Sequence, residues 1–581
     1  MTTPAEPLHP SVGRAHDRPR HPSPRGGAPN RPWWVAPLAL TLAITIARLV
    51  YLALFCPYTL IEDEAHYWEW SRRLDWSYYT KGPGIALAIR AGTWLFGDTE
   101  FGVRFPAVIA AAIGAMSIAG LAADVSRGRD RHGHPLVPMN GRVAFFAAAV
   151  FMLTPITQLV GFVSTIDGPF VACWALACWA AWRALGRASV WAWVELGLAL
   201  AVGFLFKYTI LLLLPGLLLY AVLRRRRMKL TRSWPALAGI TSALMVVGLL
   251  PVLIWNAREG WPTLRHLGGH LGVKGGDMPS TGWNYDPNWT LEFIGTQVGI
   301  VGPALALAAL GAVRWMGRGP SDRTHRAGAA FLICAALPIL FFYLLVTLKT
   351  EAEGNWALGG YATLMALAGW FAADSMVEYR RRIAAWLALP PGPSGHRPWA
   401  GYIRRKPEIP GQILWHVTVG YGLIVGVGML RLDLLDYIPP LKDLAPAGRF
   451  MGADQMAAHV TEEAAKLRDQ TGKEPFVVTQ HYGRASQLAF YLPGHPSVLC
   501  TSSRMAGRRT QYDFWRDTSL DDPALLGRPA VMLGATPEQW RTVFAEAHPL
   551  GKLRGERKLQ RPAFTGIGYL GFGAPPASTS R

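Results

Sequence analysis

The chain contains 581 residues, of which 51% are hydrophobic and 17% charged, and its formal net charge is +20 at pH 7. The apolar residues are concentrated in stretches of about 18 to 25, the length that crosses a bilayer core. This composition excludes an ordinary soluble protein and indicates a polytopic α-helical membrane protein. Much of the Lys and Arg lies in short loops between apolar stretches, where it sets topology, so nucleic-acid binding is not expected.

The first 31 residues combine five Arg with many Pro, Gly and His, a composition typical of a disordered basic tail. We therefore divide the chain into a disordered basic cytoplasmic tail at 1–31, a transmembrane domain at 32–432 and an extracytoplasmic C-terminal domain at 433–581. The five cysteines offer neither a disulfide framework nor a CxxC metal site.

Hydropathy predicts about eleven transmembrane helices. They lie near 33–56, 101–123, 143–163, 168–186, 189–206, 208–223, 234–255, 290–313, 327–347, 357–377 and 412–431. Lys and Arg cluster in the tail and in the loops at 127–142, 183–187, 224–232, 314–326 and 380–406. The positive-inside rule places these segments in the cytoplasm, so the alternate loops and the last 150 or so residues lie outside the plasma membrane.

The first outer loop contains a short apolar segment, Pro83 to Gly97, which is interrupted by Arg90. Its length predicts a helix that lies in the membrane interface and covers a site just outside the bilayer. After about Leu441 the pattern changes to an amphipathic helix at 454–469, a strand at 475–479, a helix at 486–491 and a strand at 530–533. This pattern predicts a small α/β domain.

That C-terminal domain contains no nucleotide-binding fingerprint, neither GxGxxG after a strand nor GxxxxGK[ST]. An enzyme acting outside the membrane would therefore use an activated donor that has already been carried across it.

Charged and polar residues at the outer ends of the predicted spans are the candidate functional groups, because such residues are costly at membrane depth. They are Asp63, Glu64, Lys81, Asp167, Lys207, His266, His270, Lys349, Glu351 and Glu353. Their convergence on one side of the membrane favours a common site over scattered structural ion pairs.

Asp63 and Glu64 are adjacent, so their side chains diverge on a helix or a strand, and we expect one carboxylate to react while the other orients. Stabilisation of a helix N-terminus by both acids is the structural alternative. Lys81 lies among glycines and can reach a lipid phosphate, or can simply extend to headgroups. Asp167 is either an N-cap or a binding residue.

His266 and His270 are four residues apart, a spacing that can hold a metal on one helix face. Gly268 and Gly269 lie between them, however, and argue against a helix at this point. A divalent metal therefore stays an open alternative.

Several segments resemble the bacterial members of the protein O-mannosyltransferase superfamily, which includes the aminoarabinose lipid A transferase. The segments are Asp63-Glu64, Tyr79 to Pro83, Leu95 to Arg104, Thr165 to Pro169, Lys349 to Trp356 and Leu488 to Gly494. They extend from the first span into the C-terminal domain.

The resemblance implies a GT-C glycosyltransferase that transfers a sugar from a polyprenyl-phosphate donor on the extracytoplasmic side. It implies that Asp63, with Glu64 beside it, is the catalytic carboxylate and that Lys81 binds the donor phosphate. Further expected positions are Lys207 and Lys349 for the phosphate and Arg104, Asp167, Glu351, Glu353 and Asn355 for the substrates. In the aminoarabinose transferase a glutamate precedes the phosphate lysine, but here Thr80 does, which makes a required metal doubtful.

The pattern leaves open which sugar is transferred and whether the acceptor is a lipid, a glycan or a protein. Two other classes of function fit a polytopic chain of this kind. One is a multi-spanning lipid or sugar transporter or flippase, although no internal repeat is visible. The other is a membrane scaffold whose outer domain binds cell-wall material.

Overall fold

The computed structural model describes residues 32–127, 138–186, 189–225, 233–270, 285–317, 323–388, 408–438, 447–505, 507–555 and 561–573. The predicted tail at 1–31 and parts of several predicted basic loops lie outside these residues. Trp33–Arg581 belong to one compact unit, so the helical region and the C-terminal domain are described together. The predicted boundary at residue 432 stays a prediction.

The N-terminal three quarters of the described chain is helical. The helices are α1 (Val35–Leu54), α2 (Glu62–Arg72), α3 (Gly84–Phe96), α4 (Glu100–Val125), α5 (Gly141–Leu153), α6 (Pro155–Leu159), α7 (Asp167–Gly186), α8 (Val190–Phe206), α9 (Leu213–Arg224), α10 (Trp234–Glu259), α11 (Pro262–His270), α12 (Pro287–Val301), α13 (Ala304–Met316), α14 (Arg323–Val346), α15 (Leu358–Leu387) and α16 (Glu408–Leu430). Buried side chains from α4, α5, α7, α8 and α15 form the largest apolar core.

Six helices in the described part of the chain are long and apolar enough to cross a membrane, and a bent pair makes a seventh span. Four shorter apolar helices of 10–17 residues accompany them. A multi-pass membrane protein is therefore confirmed, whereas the count of eleven crossings stays a prediction.

The predicted span at 290–313 is two helices, α12 and α13, which meet at an angle of 92°. The break falls at Gly302, whose φ of +64° is left-handed, and at Pro303, which cannot continue the preceding helix. The predicted interfacial segment after Lys81 is the helix α3, of 13 residues.

The C-terminal domain contains the helices α17 (Ala447–Phe450), α18 (Ala453–Thr471), α19 (Tyr482–Tyr491) and α20 (Pro537–Arg541). Its strands are β1 (Phe476–Thr479), β2 (Leu499–Cys500), β3 (Ala530–Leu533), β4 (Phe544–Gly551) and β5 (Ala563–Tyr569). They form one sheet in the order β2-β1-β3-β5-β4. Strand β1 pairs in parallel with β2 and β3, and β5 pairs antiparallel with β3 and β4. The predicted small α/β domain is confirmed, although the strands β2, β4 and β5 were not predicted.

Helix α2 lies between the helical region and this domain and packs against α19. The hydroxyl of Tyr491 accepts a hydrogen bond from the Leu60 amide at 2.7 Å and donates one to Glu100 at 2.9 Å. The Gln487 amide donates to the Leu60 carbonyl at 2.8 Å. The C-terminal domain therefore holds the beginning of the first loop in place.

Candidate active site

A polar cavity of about 380 Å³ lies where the first loop, the N-terminal ends of α2 and α7, and the C-terminal domain meet. From the helical region it is lined by Asp63, His66, Tyr67, Trp70, Tyr79, Thr80, Lys81, Thr165, Ile166, Asp167, Lys207, His266, Glu353, Asn355 and Trp356. From the C-terminal part it is lined by Arg449, Tyr482, Arg508, Arg509, Thr510 and Gln511. Seven of the positions expected from the sequence therefore share one cavity: Asp63, Lys81, Asp167, Lys207, His266, Glu353 and Asn355.

Asp63 and Glu64 face different surroundings, as expected for neighbours on a helix. Asp63 lies in the first turn of α2 and lines the cavity. Its side chain is exposed to the cavity, but many protein atoms crowd around it there. That crowding, followed by repulsion from Glu62, raises the pKa of Asp63 from 3.8 to about 6, although Lys81 opposes the shift.

Glu64 is fully buried and forms a bidentate pair with Arg104, at 3.0 and 2.9 Å. Its carboxylate also accepts hydrogen bonds from the Ser164 amide at 2.9 Å and from the Ile61 amide at 3.1 Å. The Arg104 guanidinium donates further to the carbonyl oxygens of Tyr58 and Thr59. Neither Glu64 nor Arg104 lines the cavity, so their geometry supports a structural role in holding α2.

Lys81 is held in the cavity wall because the backbone at the next residue, Gly82, lies close to the backbone at Leu205. A Cβ at Gly82 would lie 2.5 Å from the Leu205 carbonyl oxygen, so only glycine fits there. Burial and the nearby Lys207 ammonium lower the pKa of Lys81 from 10.5 to about 8, while Asp167 and Asp63 raise it. The amine therefore remains mainly protonated at neutral pH.

Asp167 is the first residue of α7, and its carboxylate connects two other predicted residues. One oxygen accepts a hydrogen bond from the Lys207 ammonium at 2.7 Å, and the other accepts one from the Asn355 amide at 2.6 Å. Asp167 and Lys207 are both buried. This arrangement fixes the opposite wall and largely neutralises the Lys207 charge within the protein.

Glu353 lines the cavity, but Lys349 and Glu351 from the same predicted segment do not. His266 lines the cavity and packs against the Tyr79 ring, with centroids 5.1 Å apart.

The expectation that Gly268 and Gly269 disfavour a helix at this point is wrong, because His266 and His270 both belong to α11. Both glycines fall in its last turn, and the Asn256 side chain accepts a hydrogen bond from the Thr263 amide at 3.1 Å near its start. The side chain of His270 lies outside the described part of the structure.

A metal site is not formed by the described residues: no group of three or more His, Cys, Asp or Glu side chains among them could hold an ion. Thr80 lines the cavity where the family resemblance would place an acidic ligand. The side chains that the structure describes therefore do not fit a resident divalent metal, and no chemical step is assigned to one.

The cavity residues from the C-terminal domain were not identified from the sequence. Tyr482 packs on His66, with ring centroids 4.6 Å apart, and the Gln511 side chain accepts a hydrogen bond from the Tyr79 amide at 2.7 Å. The pair Arg508-Arg509 was visible only as two adjacent basic residues, and nothing in that pattern indicated which surface they would face.

An apolar groove of about 530 Å³ runs along the helices beside this cavity. It is lined by residues of α3, α4, α7 and α8, including Leu95, Ile109 and Val202. Phe206, which lines the groove, directly precedes Lys207 of the cavity, and Pro169 lies two residues after Asp167. A polar cavity and an apolar groove of this kind suit a ligand with a charged head and a hydrocarbon chain.

Known proteins with similar sequences are glycosyltransferases by name. The family model of dolichyl-phosphate-mannose-protein mannosyltransferases matches residues 80–255. The lipid A galacturonosyltransferase RgtD of Rhizobium johnstonii is 28% identical over 57% of this chain and 64% of its own. The undecaprenyl phosphate-alpha-4-amino-4-deoxy-L-arabinose arabinosyl transferase of Pectobacterium atrosepticum is 26% identical over 61% of this chain and 63% of its own. The chain thus spans less than two thirds of the length of these relatives.

The crystal structure of ArnT from Cupriavidus metallidurans bound to undecaprenyl phosphate matches the fold with a TM-score of 0.54 at 17% identity. This match covers 92% of this chain and 99% of that one. The chain therefore has the fold of this crystal structure, and over residues 80–255 its sequence is similar to the dolichyl-phosphate-mannose-protein mannosyltransferase family.

Proposed function

We propose that the chain is an integral-membrane glycosyltransferase that moves a sugar from a polyprenyl-phosphate donor to an acceptor at the extracytoplasmic face of the plasma membrane. The observation that supports it most is the joint placement of Asp63 and Lys81 in one cavity beside an apolar groove. The names of the relatives support a lipid-linked donor and favour lipid A, among lipid, glycan and protein acceptors.

In the proposed reaction, the Lys81 ammonium binds the donor phosphate and stabilises the negative charge that grows on it as the bond between the sugar carbon and the phosphate oxygen breaks. The acceptor oxygen forms the new bond to that carbon. Asp63 takes the acceptor proton, and the bonding electrons leave with the polyprenyl phosphate. The pKa of Asp63, about 6, suits a general base near neutral pH.

The other cavity groups position the substrates. The pairing of Asp167 with Lys207 and Asn355 leaves a rigid polar wall, which suits hydrogen bonding to sugar hydroxyls. The apolar groove suits the isoprenoid chain, because it offers the chain the same hydrocarbon surroundings as the bilayer while the head lies in the polar cavity. Lys349, Glu351 and Arg104 have no assigned contact with substrate in this proposal.

The orientation rests on the distribution of Lys and Arg among the loops, which favours the cytoplasm for the basic segments. Cysteine labelling from outside intact cells tests it: a cysteine introduced at Ser503, in the C-terminal domain, should react with a membrane-impermeant maleimide. Reaction only after the membrane is permeabilised would contradict the proposed orientation.

Incubation of the purified, liposome-reconstituted protein with radiolabelled polyprenyl-phosphate sugars tests the activity. Hexose, hexuronate and aminopentose donors should be presented with lipid A as acceptor, and one of them should be converted to labelled lipid and free polyprenyl phosphate. A transporter or flippase would move the intact donor between leaflets, and a scaffold would leave it unchanged. If every donor is only moved between the leaflets or is left unchanged, the proposal is refuted.

A further inference from the structure

The charges that line the cavity do not balance. Three acidic residues, Asp63, Asp167 and Glu353, face five basic ones. The basic residues are Lys81, Lys207, Arg449, Arg508 and Arg509. His66 adds no charge near neutral pH, because burial lowers its pKa to about 3. The Lys, Arg, Asp and Glu side chains of the cavity therefore have a surplus of two positive charges.

The donor in the proposed function accounts for only part of this surplus. A sugar joined to a polyprenyl phosphate is a phosphodiester and has one negative charge, which Lys81 neutralises. The Lys207 ammonium is already paired with Asp167. A cationic group from the C-terminal part of the chain is left without an anion.

Arg508 and Arg509 differ from other arginines of the same domain in their surroundings. Four residues before Arg508, Arg504 forms an ion pair with Asp521, and Arg554 forms one with Glu462. Neither Arg508 nor Arg509 has a carboxylate within ion-pair distance among the residues that the structure describes. Instead, each contacts an aromatic ring of the domain.

The guanidinium of Arg508 lies 5.7 Å from the centre of the Tyr482 ring, and that of Arg509 lies 5.5 Å from the centre of the Phe514 ring. Arg508 also makes a side-chain hydrogen bond to Tyr482. A guanidinium has five N–H donors, so further donors remain for an oxyanion in the guanidinium plane. The positive field of Arg508 reaches Asp63 and lowers its pKa, which places Arg508 near the reacting groups.

We propose that Arg508 and Arg509 form a subsite for a second oxyanion, a carboxylate or a phosphate, on the transferred sugar or on the acceptor. The inference rests on the proposed function, because it assumes that Lys81 is occupied by the donor phosphate. It makes the C-terminal domain the part of the protein that selects an anionic substrate.

Saturation-transfer NMR on the full-length protein in a nonionic detergent, saturated with decaprenyl phosphate, tests the subsite without requiring turnover. Two matched pairs of soluble probes are used: methyl galactoside against methyl galacturonoside, and methyl glucosaminide against glucosamine 1-phosphate. We expect the charged member of at least one pair to bind about tenfold more tightly, the range of a charge-assisted hydrogen bond. The pair that shows the preference distinguishes a sugar carboxylate from a phosphate.

The double variant R508Q/R509Q should lose the preference, whereas R504Q, whose ion pair with Asp521 lies outside the cavity lining, should keep it. Equal binding within both pairs in the wild type, or a preference that persists in R508Q/R509Q, would overturn the proposal. Retained decaprenyl phosphate binding shows that the double variant is folded. The proposed function fails separately, if the wild type consumes no polyprenyl-phosphate sugar.

Discussion

The adjacent carboxylates Asp63 and Glu64 should respond in opposite ways to replacement by their amides. Asp63→Asn removes the proposed base from the cavity without breaking an ion pair of the described structure. Turnover should fall by about 10²–10⁴-fold, the usual contribution of a general base, with little change in thermal stability.

Glu64→Gln acts on the buried pair instead. The Glu64 carboxylate accepts four hydrogen bonds: two from Arg104, one from the Ser164 amide and one from the Ile61 amide. A glutamine amide has one acceptor oxygen and turns its NH₂ group toward a donor, so the Arg104 charge is left partly unpaired. Breaking such a pair costs about 3–5 kcal/mol, a large fraction of a typical folding free energy.

The two variants are compared by thermal unfolding in detergent and by turnover per monodisperse molecule after size-exclusion chromatography. We expect a clear fall in the unfolding temperature for Glu64→Gln only, and a loss of turnover in the folded fraction for Asp63→Asn only. Near-normal turnover of Asp63→Asn would refute the assignment of the base. Unchanged stability of Glu64→Gln would refute the structural role of its pair with Arg104.

Three further changes test the donor site, the groove and the polar wall. The pH profile of kcat/KM should rise through about 6, as Asp63 loses its proton, and fall above about 8, as Lys81 loses its own. Lys81→Arg should keep the acidic limb and lose the alkaline one, because guanidinium stays protonated; an unchanged alkaline limb would exclude Lys81 as its source. Val202→Trp should raise KM for long-chain donors but not for short-chain ones, because Val202 lines the groove. Val222→Trp on α9, outside the groove lining, is the control. If both variants raise the KM for long-chain donors equally, the groove is not the binding site of the isoprenoid chain. Asn355→Asp should place a second carboxylate beside Asp167 and reduce kcat/KM by about tenfold or more through like-charge repulsion. If the variant has the kcat/KM of the wild type, this wall does not contact substrate.

The sequence predicted the helical region and the side of the cavity that it forms. Asp63, Lys81 and Asp167 each lie next to an apolar segment, so the local pattern places them at a membrane boundary before any tertiary contact is known. The helices α18 and α19 and the strands β1 and β3 were likewise visible as local patterns. These predictions depend on periodicity and charge, which are local properties of a sequence.

Local sequence patterns could not predict which distant residues these side chains contact. The pairing of Glu64 with Arg104 spans 40 residues, and that of Asp167 with Asn355 spans 188. The helix at His266 was missed because two glycines outweighed its capping by Asn256, a contact that only the folded loop provides. A glycine costs about 1 kcal/mol in a helix interior, which a tertiary contact can offset.

The contribution of the C-terminal domain has a consequence for the reaction cycle. Tyr491, Gln487 and Gln511 connect this domain to the loop that contains Asp63 and Lys81. We therefore expect the proposed base and the proposed phosphate-binding amine to keep their positions only while the domain is docked. Since Arg508 and Arg509 belong to the same domain, an anionic substrate that binds them would also favour the docked state, because a ligand stabilises the conformation to which it binds more tightly. Selection of the substrate and assembly of the catalytic cavity are then the same event.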